Sequence, residues 1–347
     1  MGQRGRTGAA ALILRMKPPS LSPQIDSLPK AELHLHLEGS IQPATVRTLM
    51  ARHGVKASEQ EVLERYAFHD FPGFLETFKW VTSFLREPQD YALVGSDLAE
   101  RLLEQNVVYV EATLSVGVML LRKQQAEANF AALLHSTEPF ERRGLRFRWV
   151  FDAVRQFGAA AAMAVVETAK TCKSKTIVAF GIGGDELQVE TAAFRGVYER
   201  AAELGLHRLI HAGEVGGPER IREAIRLLEV ERIGHGIAAI KDPLLMDLLA
   251  ERKIPLEICP QSNVRTGALA RQFSREHARI GDHPLPALFR HGIPVVLSTD
   301  DPALFHTTLR DEYDAAKQMG LQDSELEQIC EMGFQYAFDP ASKSRAT

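Results

Sequence analysis

Cysteine is scarce in this chain: three residues in 347, at positions 172, 259 and 330, with no C-x-x-C pair among them. That excludes a disulfide framework, and the three are read as reduced thiols of a cytoplasmic protein. A positive charge excess is lacking too. The 41 Lys and Arg stand against 45 Asp and Glu, a net charge of -4, so nothing points to nucleic acid. No apolar run approaches ~18 residues, which excludes a membrane-crossing helix. H-E-x-x-H does not occur, which argues against a zincin protease, and Gly181, Gly183 and Gly184 do not fit the G-x-G-x-x-G of a dinucleotide site. No internal repeat or low-complexity segment stands out.

What is present is an apolar fraction of 45%, enough for a sizeable core. The length suits one large domain or two ordinary ones, and α/β barrels of this size form one domain. At the N-terminus Arg4 and Arg6 precede a short apolar stretch, residues 9–14, but Arg15 and Lys17 follow at once without a small-residue cleavage site. Residues 1–24 are therefore read as a disordered leader, and 25–347 as the single domain. Met16 is a candidate start, since patterned sequence begins only after Pro18-Pro19.

The most informative stretch is Glu32-Leu33-His34-Leu35-His36-Leu37-Glu38-Gly39-Ser40. In an extended strand residues i and i+2 share a face, so His34 and His36 would stand side by side while the leucines face the other way. Two adjacent imidazoles suit a metal that takes nitrogen ligands, zinc first. With 12 histidines in the chain, chance alone supplies about 0.4 His-x-His pairs, so the rest of the sequence decides.

After the first strand, 31–37, a long span without strands reads as helices near 43–52, 58–66, 71–85 and 89–105. In the third, Phe71, Phe74, Leu75, Phe78, Val81 and Leu85 form a stripe that reads as core, with an apolar lid as the alternative. From residue 107 strands and helices alternate. Strands are expected at 107–114, 147–153, 176–181, 207–211, 232–235, 256–259 and 294–298, with helices such as 159–170, 191–204, 218–228, 242–251 and 284–291 between them. Eight β-α repeats predict a parallel (β/α)8 TIM-type barrel with a helical insertion after the first strand; a doubly wound open sheet is the alternative.

In a barrel the active site forms at the C-terminal strand ends. Those ends carry His34 and His36, then Asp152 and Arg155, Gly184-Asp185-Glu186, His211-Ala212-Gly213-Glu214, Gly234-His235-Gly236, Cys259-Pro260-Gln261-Ser262-Asn263 and Ser298-Thr299-Asp300-Asp301-Pro302. Metal-binding and proton-moving groups thus gather at one predicted mouth, which single turn residues and satisfied histidines would not do by coincidence.

Through these motifs the chain resembles the adenosine deaminase family of the amidohydrolase superfamily, in order and spacing, from about Leu28 onward. The resemblance implies a (β/α)8 barrel with one zinc per subunit. It implies removal of ammonia from the 6-position of a purine nucleoside by metal-bound hydroxide, with adenosine to inosine the first expectation. His34, His36 and His211 would supply nitrogens to the metal and Asp300 a carboxylate oxygen. Such a zinc lowers the pKa of its water towards ~7. Glu214 resembles the acid that protonates the ring nitrogen, which requires a carboxyl kept protonated by burial. His235 resembles the residue that orients and deprotonates the water, Asp301 would hold the water or the amino group, and Gly184 resembles the backbone contact to the purine. The implied partner is a small purine nucleoside, with no nucleic acid and no membrane. The P-C-x-x-C of nucleic-acid deaminases is absent; Cys259-Pro260 is read as a loop feature and not as a ligand.

Two places depart from the family pattern. Glu38 stands where adenosine deaminases usually carry the Asp that contacts the sugar, and residues 261–267, Gln-Ser-Asn-Val-Arg-Thr-Gly, read as a loop resembling relatives that act on aminodeoxyfutalosine. Arg265 or Arg155 would then pair with a substrate carboxylate. Free adenine is a further substrate reading. A non-catalytic purine-binding relative would lack a ligand or a proton-transfer residue, and none is missing. Two-metal hydrolases of this fold use a carboxylated lysine on strand four, where this chain is glycine-rich and Lys175 precedes the strand.

Overall fold

The computed structural model describes residues 21–68, 70–340 and 342. Eight parallel strands follow one another in chain order: β1 Lys30–His36, β2 Val107–Leu114, β3 Arg146–Val154, β4 Ile177–Gly183, β5 His207–Ala212, β6 Arg232–His235, β7 Leu256–Ile258 and β8 Val295–Leu297. All residues of β1, β6, β7 and β8 are buried, because helices cover the outer face while the inner face lines the barrel. The ring closes where the chain returns to its beginning. His36 N–H donates to the Asp300 carbonyl at 2.7 Å and Asp300 N–H to the His34 carbonyl at 2.9 Å, and Leu35 bridges Asp300 in parallel register. The (β/α)8 expectation is met, and the open sheet is set aside.

The insertion after β1 holds the four expected helices, Pro43–Arg52, Glu59–Tyr66, Phe71–Thr82 and Pro88–Glu104. Their starts follow local chemistry. Proline occupies the first turn of the first and last, Ser58 and Glu61 form a capping box, and Asp70 accepts from Gly73 N–H. The aromatic stripe is core in part: Phe74, Val81 and Leu85 are buried, Phe71, Leu75 and Phe78 are half-buried against them, and Phe74 stacks on Phe305, in the segment after β8, with ring centres 5.0 Å apart.

Several local expectations are corrected. β1 ends at His36, one residue short of the expected 37, and Gly39 lies inside the short turn Glu38–Ser40. β4 runs through Gly183. Its glycines serve the barrel interior, since a Cβ on Gly181 would come within 2.9 Å of Leu209 Cδ1. Residues 260–265 form a helix, Pro260–Arg265, where a loop was expected; proline is compatible with a helix's first turn, so it opens this one. Of the expected leader, residues 1–20 lie outside the described residues. Leu21 is buried with its N–H on Asp314 Oδ1 at 3.1 Å, and Pro23 opens the helix Pro23–Ser27.

Opposite the metal-facing mouth, the barrel interior is closed by charge. Arg232 Nη2 lies 2.5 Å from Glu111 Oε2 and its Nε 2.6 Å from Glu257 Oε1, all three fully buried. The guanidinium stacks 3.7 Å above the Phe338 ring, which also lies against Val150, Ala179 and Leu209. A lone cation here would be costly; two carboxylates and an aromatic face offset its desolvation. Replacing Arg232 with Leu strands both carboxylates. We expect a loss of about 3–5 kcal/mol in urea unfolding, and a loss below about 1 kcal/mol would show that the pairs carry no structural weight.

Candidate active site

The strand ends deliver the expected side chains to one place. β1 brings His34 and His36, β5 His211, β6 His235, and the turn after β8 Asp300 and Asp301. His235 and Asp300 have left-handed backbones, with φ of 60° and 65°, an unfavourable region for such residues that is tolerated where the surroundings enforce it. At Asp300 the enforcing contacts are the two hydrogen bonds that close the barrel.

Within this cluster, one donor atom each from His34, His211, His235 and Asp300 lies within 4.8 Å of the other three. His34 Nε2 is 3.1 Å from His211 Nε2 and 3.6 Å from Asp300 Oδ1. His36, expected among the ligands, stands beside that group with Nε2 3.3 Å from the same Asp300 oxygen. His235 Nε2 is 3.9 Å from Asp300 Oδ2. Glu257 accepts a hydrogen bond from His34 Nδ1 at 2.8 Å; despite burial, Asp300 and Glu257 raise His34 to about 10, so a cation binding at Nε2 would displace that atom's proton while Glu257 keeps the ring oriented. Two ring nitrogens facing each other beside a carboxylate fit a cation between them. Their spacings match the edge of about 3.3 Å in a tetrahedron of nitrogen ligands around zinc.

The electrostatics separate the neighbouring carboxyls. Despite burial, His34, His36 and His235 hold Asp300 well below the usual carboxylate range. Burial and the Asp300 charge push Asp301 well above it. Burial, with Asp300 and Glu186 nearby, raises the Glu214 carboxyl to about 8. Burial lowers His36 to about 4 and His235 to about 3, so both rings are neutral at pH 7. One ionised carboxylate, two protonated carboxyls, the neutral His36 and His235 rings and a His34 ring raised by its carboxylate neighbours make a set for binding a metal and moving a proton.

The other expected residues fall in different places. Glu38 is buried, with Oε1 accepting from Ser115 N–H at 3.0 Å and Oε2 without a protein partner. Gly184 sits at the mouth with φ +97°, and a Cβ there would lie 2.4 Å from Gln156 Oε1. Arg155 is 2% exposed and donates to the Val189 carbonyl at 3.1 Å, which turns it into the wall. Arg265 ends its helix as an exposed residue; partial burial lowers its guanidinium against the opposing charge of Glu312.

Residues not singled out complete the site. Glu257 was the most visible of these, as a carboxylate in a short, wholly buried strand. Ser262 Oγ donates to Asp300 Oδ2 at 2.6 Å. Glu186 accepts from Val215 and Gly216 N–H, both at 2.6 Å, and Gln272 Nε2 reaches the Glu214 and Gly216 carbonyls at 2.8 and 2.7 Å, so the backbone around Glu214 is tied from two sides. Gly39 is a site residue by its lack of a side chain. A Cβ there would lie 1.7 Å from Asp301 Oδ1.

The family model described as adenosine deaminase matches residues 29–347. The chain belongs to the adenosine deaminase family. As a member it is a hydrolase of carbon–nitrogen bonds in cyclic amidines. It is 35% identical over 336 residues to an aminodeoxyfutalosine deaminase of Streptomyces coelicolor, covering 94% of this chain and 85% of that one. It is 34% identical over 319 residues to an adenine deaminase of the same organism, covering 90% of each. Among solved structures, an adenine deaminase from Arthrobacter aurescens superposes with a TM-score of 0.82 at 29% identity, over 92% of this chain and 96% of that one. For this deaminase, Glu257→Gln is expected to weaken metal binding by about 10–100-fold in chelator competition. Unchanged affinity would remove His34 from the ligand set.

Proposed function

We propose that this deaminase removes the 6-amino group of an adenine ring with a zinc ion held by His34, His36, His211 and Asp300. The observation that carries the reading is the pairing of a carboxyl raised to about 8, Glu214, with a carboxylate held ionised, Asp300, across one cluster of histidines. Zinc, when bound, supplies a Lewis acid that makes water nucleophilic near neutral pH. The chain's residues do the rest. Glu214 gives its proton to the ring nitrogen next to the attacked carbon, which makes that carbon electrophilic. His235 and Asp301 hold the attacking water. The water oxygen bonds to the carbon, one water proton passes to the amino nitrogen and the other restores Glu214, the carbon–nitrogen bond breaks, and ammonia leaves a ring carbonyl behind.

The substrate that fits best is an adenine nucleoside bearing a carboxylate, of the aminodeoxyfutalosine type, with Arg265 as its partner. The relatives so named support this, as does Arg265, an exposed residue at the end of its helix. Arg155 is already committed to Val189. Free adenine is the second reading, favoured by the adenine deaminases at similar identity. Adenosine, the first expectation, is the third compound to test.

Ammonia release from zinc-loaded protein tests the chemistry. Glu214→Gln should lower kcat by about 10²–10⁴-fold without loss of zinc. Because Glu214 acts in its protonated form, kcat/KM should hold near neutrality and fall as pH rises through about 8. A rate that climbs through that range would deny Glu214 the acid's role. Arg265→Ala should raise KM for the carboxylated nucleoside and leave adenosine unaffected; equal effects on both would return Arg265 to an ordinary surface role.

A further inference from the structure

His235 lies in a file of three buried polar side chains that leads away from the site. Its Nδ1 is 3.1 Å from Asn263 Nδ2, and Asn263 Oδ1 is 3.1 Å from His283 Nε2. The far end is anchored on the backbone, where Leu285 N–H donates to His283 Nδ1 at 3.1 Å. His235 and Asn263 are fully buried and His283 is 5% exposed.

The anchor decides every proton in the file. A backbone amide can only donate, so His283 Nδ1 is bare and its single ring proton is on Nε2. Burial, with His235 nearby, lowers His283 to about 3, which agrees with a neutral ring. His283 Nε2–H therefore donates to Asn263, and the atom facing it must be the amide oxygen. Reversing the amide would set donor against donor. With its oxygen turned to His283, Asn263 presents N–H to His235. His235 Nδ1 accepts, and the proton of the neutral His235 ring is on Nε2.

Nε2 is the ring atom that faces the metal cluster. It is buried without a protein partner, 3.7 Å from Glu214 Oε2 and 3.9 Å from Asp300 Oδ2, both too far for a hydrogen bond. We propose that Asn263 and His283 are positioning residues that lock the His235 proton on Nε2, so that His235 meets the reacting oxygen as a hydrogen-bond donor. This rests on the deaminase reading for its reaction but not for its geometry. It also separates His235 from His36. A nitrogen that carries a proton has no lone pair for a metal, which leaves His36 as the third nitrogen ligand although His235 lies within the tighter cluster. On this reading His235 donates to the reacting oxygen instead of taking a proton from it.

The test is ring-nitrogen NMR on the full chain, zinc-loaded and labelled with 15N in histidine, where protonated and bare nitrogens differ in shift. The expected wild-type result is bare Nδ1 and protonated Nε2 on His235. In Asn263→Asp both side-chain oxygens accept only, so the proton moves to His235 Nδ1. There kcat should fall by about 10²–10⁴-fold with KM and zinc content unchanged. His283→Gln keeps an acceptor for Leu285 and a donor for Asn263, so it should keep the tautomer and most of kcat. A wild-type His235 protonated on Nδ1, or an Asn263→Asp variant with full kcat, would overturn the proposal, and the first measurement needs no variant to fold. If the tautomer is as stated but no adenine compound releases ammonia, the lock stands and the deaminase assignment of substrate fails.

Discussion

Everything at the site depends on how the barrel closes. The two backbone hydrogen bonds that join the end of β8 to β1 run between Asp300 and the histidines His34 and His36. The groups facing the metal cluster are thus also the seam of the sheet. Closing the ring brings Asp300 beside both imidazoles, and its left-handed backbone aims the carboxylate inward. A strand end with a regular backbone would carry the side chain in a different direction.

A second dependence runs from the opposite end of the barrel. Phe338 covers Arg232, Arg232 pairs with Glu257, and Glu257 orients the His34 ring. Burial alone would raise Glu257, but Arg232 and His34 hold it below its ordinary value, so it stays an acceptor. The orientation of one imidazole at the mouth is therefore secured by an ion pair deep in the interior. Glu214, by contrast, is fixed through backbone contacts from Gln272 and through Glu186 on the following amides, while its carboxyl is left to titrate.

The sequence is informative where a residue's type and its place on a strand suffice. His34, His36, His211, His235 and Asp300 are polar groups at the ends of buried apolar runs, and the eight-fold alternation puts those ends together. It is less informative where meaning lies in a partner. His283 next to Pro284 has the features of an ordinary turn, and only the fold sets it against Asn263. Gly39 looks like a strand stop because nothing local records that Asp301, far along the chain, fills the space beside it. Pro260 was read with a loop although proline opens helices as readily as it ends strands. Arg155 and Arg265 are equivalent as letters; burial separates them, one held in the wall and one exposed at the end of its helix.

The seam also sets a timetable. His34 N–H rests on the hydroxyl of Ser298, 264 residues away, so its surroundings are completed by the residue that follows the last strand, β8. Contacts of such separation form late, after the entropy of a very long loop has been overcome. An emerging chain carries His34 and His36 before His211 or Asp300 has been made, and the groups come together only when the ring closes. Selection of the metal therefore belongs to the finished ring and not to the nascent strand.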